Sequence, residues 1–206
     1  MKVTLLHHTP LHIVAGAIRT CWASQAKSDS TGDTCGPDDM ALIDRIGNKM
    51  KHESVKNHMT YNFYFEGITT KTVLALTRHD VGVEFSIQST RYTTKKAVNN
   101  GTASYTPSKS DRVNKYLEAL NGMIKDCVDN NEANDEISLL LPQAWNYNLT
   151  CSMSLTAVQH FLKLRLKPDA HWDIRNLANS ILATIPEDHL YLYEDCIPTS
   201  KEITNE

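Results

Sequence analysis

The chain has 206 residues, of which 41% are hydrophobic, and a formal net charge of −3 at pH 7. This length is enough for one sizeable core, and the slightly acidic balance gives no electrostatic reason to expect nucleic acid or an anionic membrane as a partner. No apolar run approaches the roughly 20 residues that span a bilayer. The N-terminus lacks an apolar signal core, so we expect a cytoplasmic protein.

Hydrophobic spacing predicts the elements of the first half of the chain. Tyr61, Phe63 and Phe65 alternate with more polar residues, which is the period of a half-buried strand. The predicted elements are a strand at 2–7, a helix at 11–22, a polar loop at 23–37, a helix that opens at Pro37 and Asp38, a strand at 60–66, and a helix capped by Thr69 or Thr70 that runs to about His79.

The second half is predicted to be mostly helical. Its elements are a mobile loop or insertion at 95–111, a long helix with an apolar stripe from Val113 to Val128, an apolar run that ends at Pro142, a strand at 146–153, a helix at 155–164, a helix that opens at Pro168 and Asp169 and continues to Leu182, and a frayed end at 197–206. No linker divides these elements, so we expect a single domain of residues 1–206.

Five cysteines are scattered along the chain without Cys-x-x-Cys spacing. Their odd number and wide separation argue against a disulfide framework and against a zinc site, so we expect no metal. Cys127 lies on the apolar stripe of the long helix and is expected in the core. None of the cysteines has neighbours that mark it as a nucleophile.

The most informative segment runs from Arg78 to Tyr92. It places Arg78, His79, Ser89 and Arg91 close together where a helix is expected to end and a loop to begin. Arginine grips phosphate with a planar fork and stays charged, so these side chains suit a phosphorylated ligand. Taken one at a time, the same residues are more typical of a helix end or a solvated surface than of a ligand site.

The order of several motifs resembles the flavin-dependent thymidylate synthases. The signature of that family is Arg-His-Arg, then a serine after seven or eight residues, then Arg-Tyr, and the motifs lie in the family's order between about residues 5 and 185. The matching segments are Arg78-His79, Ser89, Arg91-Tyr92, His52-Glu53-Ser54 with His58, Leu141-Pro142, His160-Phe161-Leu162 with Arg165, and His171-Trp172-Asp173-Ile174-Arg175.

The resemblance implies a mixed α/β fold with a central antiparallel or mixed sheet packed with long helices, assembled as a homotetramer. It implies one-carbon transfer from methylenetetrahydrofolate to C5 of deoxyuridine monophosphate, with hydride from FAD and NADPH as the reductant. Arg165 matches the cation that stabilises negative charge on the pyrimidine and is the expected catalytic residue. Ser89 is also expected at the reacting nucleotide, but no base is tied to it, so it is not expected to be a covalent nucleophile.

Residue-by-residue matching also implies two sets of binding residues. The residues expected at the flavin are His52, Ser54, Arg78, His79, Asp80, Ser154, Thr156 and His160. The residues expected at the nucleotide are Arg78, Ile87, Gln88, Ser89, Thr90, Arg91, Ser138 and Arg165.

The chain also departs from the family pattern. Asp80 stands where the signature has its second arginine, Ser138 where an arginine would grip the nucleotide, and Ser154 and Thr156 where the family has Asn-x-Arg. Ile87 replaces an acidic residue. Asp80 is expected either to pair with Arg78 or Arg91, or to accept a hydrogen bond from the amino group of a cytosine ring.

Three functions therefore remain open at the level of sequence. The first is thymidylate synthesis from deoxyuridine monophosphate. The second is hydroxymethylation of a pyrimidine deoxynucleotide, deoxycytidine monophosphate in particular, in which water rather than hydride ends the reaction. The third is a catalytically silent homologue that binds nucleotide or flavin as an oligomer.

Overall fold

The computed structural model of the chain describes residues 1–198. The strands are β1 (Lys2–His8), β2 (Thr60–Thr69), β3 (Val83–Ile87) and β4 (Asn146–Ser154). The helices are α1 (Leu11–Cys21), α2 (Pro37–Ile43), α3 (Glu53–Lys56), α4 (Thr70–Leu76), α5 (Thr90–Asn99), α6 (Asp111–Asp129), α7 (Asn134–Ser138), α8 (Leu155–Arg165) and α9 (Trp172–Leu182). Short 3-10 segments lie at Gln25–Lys27 and Glu187–Cys196, and α2 continues into a π-helical segment at Asp44–Lys49.

The four strands form one antiparallel sheet in the order β1-β2-β4-β3. The alternation along β2 places Tyr61, Phe63 and Phe65 in the interior, as the spacing predicts. The antiparallel direction follows from the contacts that join opposite ends of neighbouring strands: Lys2–Glu66 and Thr9–Thr60, then Asn62–Ser152 and Gly67–Asn148, then Gln88–Asn148 and Ser154–Gly82.

Two compact units can be distinguished in the chain, and neither is a continuous segment. The first unit comprises Met1–Lys2, Phe65–Arg78 and Ser86–Leu149, and the second comprises Val3–Tyr64, His79–Phe85 and the described residues from Thr150 to 198. All four strands therefore contribute residues to both units. The single domain of residues 1–206 stays a prediction.

The first unit has its own hydrophobic cluster. Ile124 and Val128 of α6, Ile137 of α7 and Trp145 are buried together. Helix α5 joins them through Val98, although its sequence is rich in Lys, Thr and Asn. The prediction of a loop from residue 95 is therefore wrong for its first part, because tertiary packing outweighs weak helix propensity there.

The long helix α6 is present as predicted, but less of its stripe is buried than the spacing suggests. Its apolar stripe is wider than the core on which it packs, so Val113, Tyr116 and Met123 are exposed. Cys127 is half-buried against the cluster. An apolar stripe fixes the period of a helix but leaves open how much of the helix is covered by other elements.

Strand β3 and the start of α9 were not found from the sequence. Strand β3 is a short edge strand with alternate exposed polar residues, and no prediction included it. Helix α9 begins at Trp172 after the N-cap residue His171, later than the predicted start at Pro168. The predicted frayed end lies outside the described residues from 199 onward. Within residues 1–198, no helix is long and apolar enough to cross a membrane.

The core of the second unit contains a buried aromatic and histidine cluster. His189 is 1% exposed, and its Nδ1 lies 3.0 Å from the hydroxyl of Tyr61. The ring of His8 meets that of His189 edge-on at 4.8 Å. Burial, opposed by Asp188 and assisted by His8, lowers the pKa of His189 from 6.5 to about 4. The imidazole is therefore neutral in the folded protein at pH 7.

This burial predicts a loss of stability in mild acid. The unfolded chain binds a proton at this histidine below pH 6.5, but the folded chain does so only near pH 4, so the free energy of unfolding should fall as the pH decreases through this window. Protonation of this one histidine should lower the free energy of unfolding by about 2 kcal/mol between pH 7.5 and pH 5. Urea unfolding at both pH values should show a smaller decrease in the free energy of unfolding for His189→Gln than for the wild type. Equal decreases in the two proteins would contradict this account.

Candidate active site

Helix α8 and its N-cap residue carry three of the predicted flavin-side residues of the second unit, Ser154, Thr156 and His160. Its N-cap residue, Ser154, accepts a hydrogen bond from the backbone N–H of Ala157 at 3.2 Å. The backbone N–H of Ser154 donates to the carbonyl of Gly82 at 2.8 Å. The turn that follows His79 is thus attached directly to the start of α8.

Gly82 is required at this attachment for two reasons. Its φ is +71°, in the left-handed region that favours glycine. A Cβ added there would lie 2.5 Å from the Oγ of Ser154. The close approach of the turn to α8 therefore depends on the missing side chain.

At the other end of α8, Arg165 contacts His79. Its Nε donates to the Nε2 of His79 at 3.2 Å, and Arg165 is half-buried while His79 is 8% exposed. The ring of His79 packs edge-on against Phe161 at 5.1 Å and lies 5.5 Å from the ring of His160. His79 therefore forms a single cluster with His160, Phe161 and Arg165 of α8.

The environment of His79 keeps its imidazole neutral. Burial is the main cause that lowers the pKa of His79 from 6.5 to about 4, and the nearby Arg165 and His160 act in the same direction. Asp80 opposes them, but its effect is smaller. Because Nε2 accepts from Arg165, the proton of the neutral ring lies on Nδ1. The histidine can therefore hold the guanidinium as an acceptor.

The segment around α3 supplies further polar groups in the same unit. His52 and Ser54 are exposed. Asn57, which follows α3, accepts a short hydrogen bond from the hydroxyl of Thr156 on α8, and that hydroxyl also lies 3.1 Å from the Oγ of Ser154. Sequence reasoning missed Asn57, because an amide in a polar turn has no spacing that distinguishes it.

Lys56 fixes α3 from its buried side. Its ammonium lies 2.7 Å from the side-chain oxygen of Gln159 and 3.0 Å from the carboxylate of Glu53. Gln159 in turn donates to the carbonyl of Leu192 at 2.5 Å. A buried ammonium needs such partners, and here they join α3, α8 and the C-terminal 3-10 segment.

The first unit contains the predicted nucleotide-side residues of β3 and α5. Ser89 is the N-cap residue of α5 and is exposed, and Thr90 begins the helix. Gln88 is half-buried, and its side chain is bonded to Asn148 and Thr93. The side chain of Ile87 is 41% exposed, although it ends a strand.

Arg91 and Ser138 both contact Asp135 of α7 in this unit. The Nε of Arg91 lies 3.4 Å from the carboxylate of Asp135, with both side chains exposed. The hydroxyl of Ser138 donates to the carbonyl of Asp135 at 2.6 Å. Arg78 is exposed, and among the described residues it has no ion-pair partner.

The structure thus groups the predicted residues into two sets. The second unit brings together His79, Ser154, Thr156, His160 and Arg165, with His52, Ser54 and Asp80 on adjoining segments. The first unit brings together Gln88, Ser89, Thr90, Arg91 and Ser138, and it also contains Arg78 and Ile87.

The chain is similar to proteins of known activity over nearly its whole length. A family model described as Thy1, thymidylate synthase complementing protein, matches residues 4–189. The flavin-dependent thymidylate synthase of Wolinella succinogenes is 37% identical over 94% of this chain and 97% of the relative. That of Campylobacter jejuni is 35% identical over 96% and 98%.

The chain is also similar to a solved structure of a flavin-dependent thymidylate synthase. The crystal structure of flavin dependent thymidylate synthase ThyX from Helicobacter pylori complexed with FAD and dUMP superimposes with a TM-score of 0.87. Its sequence is 29% identical, and the match covers 96% of this chain and 100% of that one.

The close approach at Gly82 can be tested by substitution. Gly82→Ala should lower the free energy of unfolding by about 2 kcal/mol or more, because it combines an unfavourable φ with a clash at Ser154. Gly101→Ala is the matched control, since Gly101 has a φ of +66° but open space around it. Chemical denaturation should show a larger loss at Gly82 than at Gly101, and equal losses would mean that the contact with Ser154 contributes nothing.

Proposed function

The chain belongs to the family of thymidylate synthase complementing proteins, and on that premise we propose that it is a flavin-dependent thymidylate synthase that converts deoxyuridine monophosphate to thymidylate. The one-carbon unit comes from methylenetetrahydrofolate, and NADPH is the reductant. FAD supplies the hydride that completes the methyl group. The family predicted from the motifs and the mixed α/β fold are both confirmed.

The observation that carries this function is the hydrogen bond between Arg165 and His79. A neutral imidazole holds the guanidinium by its Nε at 3.2 Å, which leaves the terminal nitrogens of Arg165 free to donate elsewhere. Such a fixed cation suits a pyrimidine ring on which negative charge develops, because the charge does not have to be reoriented during the reaction.

The polar groups of the second unit fit a flavin. His52, Ser54 and His160 are exposed and present imidazoles and a hydroxyl, and Ser154 and Thr156 add hydroxyls at the start of α8. Hydrogen-bonding groups of this kind match the carbonyl and N–H edges of an isoalloxazine ring. These residues and His79 would hold FAD.

The exposed groups of the first unit fit the nucleotide. Arg78 and Arg91 can each give a bidentate contact to a phosphate, and Ser89 and Thr90 provide hydroxyls. Ser138 cannot replace the charge of the arginine that the family has at its position, so the affinity for phosphate depends more strongly on Arg78 and Arg91. Asp135 orients Arg91 through its ion pair.

Asp80 has an electrostatic role in this proposal. Its carboxylate raises the pKa of His79, whereas burial and Arg165 lower it. Asp80 therefore limits how far the pKa of this imidazole falls. The charge reversal relative to the family signature therefore changes the environment of the histidine that holds Arg165. It does not remove the acceptor itself.

The function is tested by identifying products. The purified protein should be yellow, and with methylenetetrahydrofolate and NADPH it should convert deoxyuridine monophosphate to thymidylate, as measured by mass spectrometry. Deoxycytidine monophosphate is the control substrate and should not react. A hydroxymethylated cytosine nucleotide would replace this function with the hydroxymethylase, and bound flavin without any turnover would indicate a silent homologue.

Replacement of Arg165 should mainly reduce turnover. Arg165→Ala should lower kcat roughly 100-fold, because one preorganised donor is lost, and should change flavin binding much less. Lys163→Ala is the control, since it removes an exposed cation from the same helix. His79→Gln should retain more activity than His79→Asn, because the Gln oxygen reaches the position of Nε2. Equal losses of turnover and flavin binding in Arg165→Ala would contradict the assigned role.

The proposal includes a homotetramer, as the family resemblance implies, and a location in the cytoplasm. Light scattering of the purified protein measures the assembly directly, and a mass near four times 23.2 kDa is expected. A monomer that is fully active would contradict the tetramer.

A further inference from the structure

We propose that Gln88 and Thr93 are positioning residues, which fix the backbone of Ser89 so that its hydroxyl is available to the nucleotide. The inference rests on the proposed function, because it takes the nucleotide to bind at Ser89. It differs from the simple residue-by-residue match, which places the side chain of Gln88 at the ligand.

The side chain of Gln88 is already used by the protein. Strand β3 ends at Ile87, and the backbone N–H of Gln88 then donates to the carbonyl of Asn148 at 3.0 Å. The side-chain oxygen of Gln88 accepts from the backbone N–H of Asn148 at 3.1 Å. The side chain therefore takes the place of the next backbone carbonyl in the ladder between β3 and β4.

The other end of the same amide holds Thr93. The Nε2 of Gln88 donates to the Oγ1 of Thr93 at 3.1 Å, and this hydroxyl donates to the carbonyl of Ser89 at 2.8 Å. The backbone N–H of Thr93 donates to the same carbonyl at 3.2 Å. Two donors from one residue thus fix the peptide of Ser89, and Gln88 fixes the rotamer of that residue.

The hydroxyl of Ser89 does not make the capping hydrogen bond that its N-cap position would suggest. Serine at an N-cap ordinarily accepts a hydrogen bond from the first turn of the helix. Ser110 and Ser154 do so in this chain, but among the described residues Ser89 has no such bond to α5. Its side chain is exposed.

The two observations have one explanation. The start of α5 is fixed through the carbonyl of Ser89 by Thr93 and Gln88, and not through a cap bond of the Ser89 hydroxyl. The hydroxyl of Ser89 then remains free to contact a ligand without loosening the helix start. A fixed backbone also reduces the conformational entropy lost when the nucleotide binds.

The test uses Thr93→Val in the full-length protein, loaded with FAD. This change keeps the shape of the side chain and removes both hydroxyl bonds. The KM for deoxyuridine monophosphate should increase about tenfold, which corresponds to the loss of one hydrogen bond between Ser89 and the nucleotide, while kcat at saturating nucleotide changes less than threefold. Thr93→Ser restores the hydroxyl and should return the KM to within about twofold of the wild type, which a general loss of packing would not predict.

Thr20→Val is the matched control. The hydroxyl of Thr20 donates to the carbonyl of Gly16 at 2.8 Å and accepts from the side chain of Gln25 at 2.7 Å, which is the same arrangement on α1. Its KM for the nucleotide should equal that of the wild type. An unchanged KM in Thr93→Val, or an equal increase in Thr20→Val, would overturn the inference. Wild-type protein that does not use deoxyuridine monophosphate would instead overturn the proposed function.

Discussion

The hydrogen bond from Arg165 to a neutral His79 imposes the strictest physical condition on this structure. An imidazolium beside a guanidinium would place two cations within 3.2 Å, so the arrangement is stable only while His79 stays unprotonated. Burial against Phe161 provides this condition. The turn after His79 must therefore approach α8 closely, and the absence of a side chain at Gly82 allows that approach.

Charged groups that lie in the interior are likewise stable only where their surroundings compensate for burial. Burial by itself would raise the pKa of the Asp39 carboxyl, but hydrogen bonds from Ser28, Ser30 and Arg19 hold it below its usual value. This carboxylate ties the polar loop before α2 to α1. Lys56 follows the same principle through Gln159. In both places a buried charge is stable because several hydrogen-bond partners compensate for its burial, and so each charge also specifies how neighbouring helices pack.

Sequence patterns were reliable where one physical effect dominated. The alternation along β2 and the cap at Thr69 describe local geometry, and the structure contains them as predicted. The pattern failed at α5, where helix formation depends on packing against α7 and on Val98 in a distant cluster. It also failed for β3, because a short edge strand is defined by its partner strand more than by its own residues.

In the candidate site, too, some properties follow from the sequence and others only from the tertiary structure. The sequence by itself determined the family, the mixed α/β fold and the kinds of side chain that a phosphorylated ligand and a flavin require, because residue types and their order are written directly in the chain. Only the tertiary structure decided which of these groups are committed to the protein. It shows that His79 accepts from Arg165, that Gln88 is used by Asn148 and Thr93, and that Ser89 does not cap its helix. These outcomes depend on burial and on contacts between residues far apart in the chain, which spacing along the sequence cannot express.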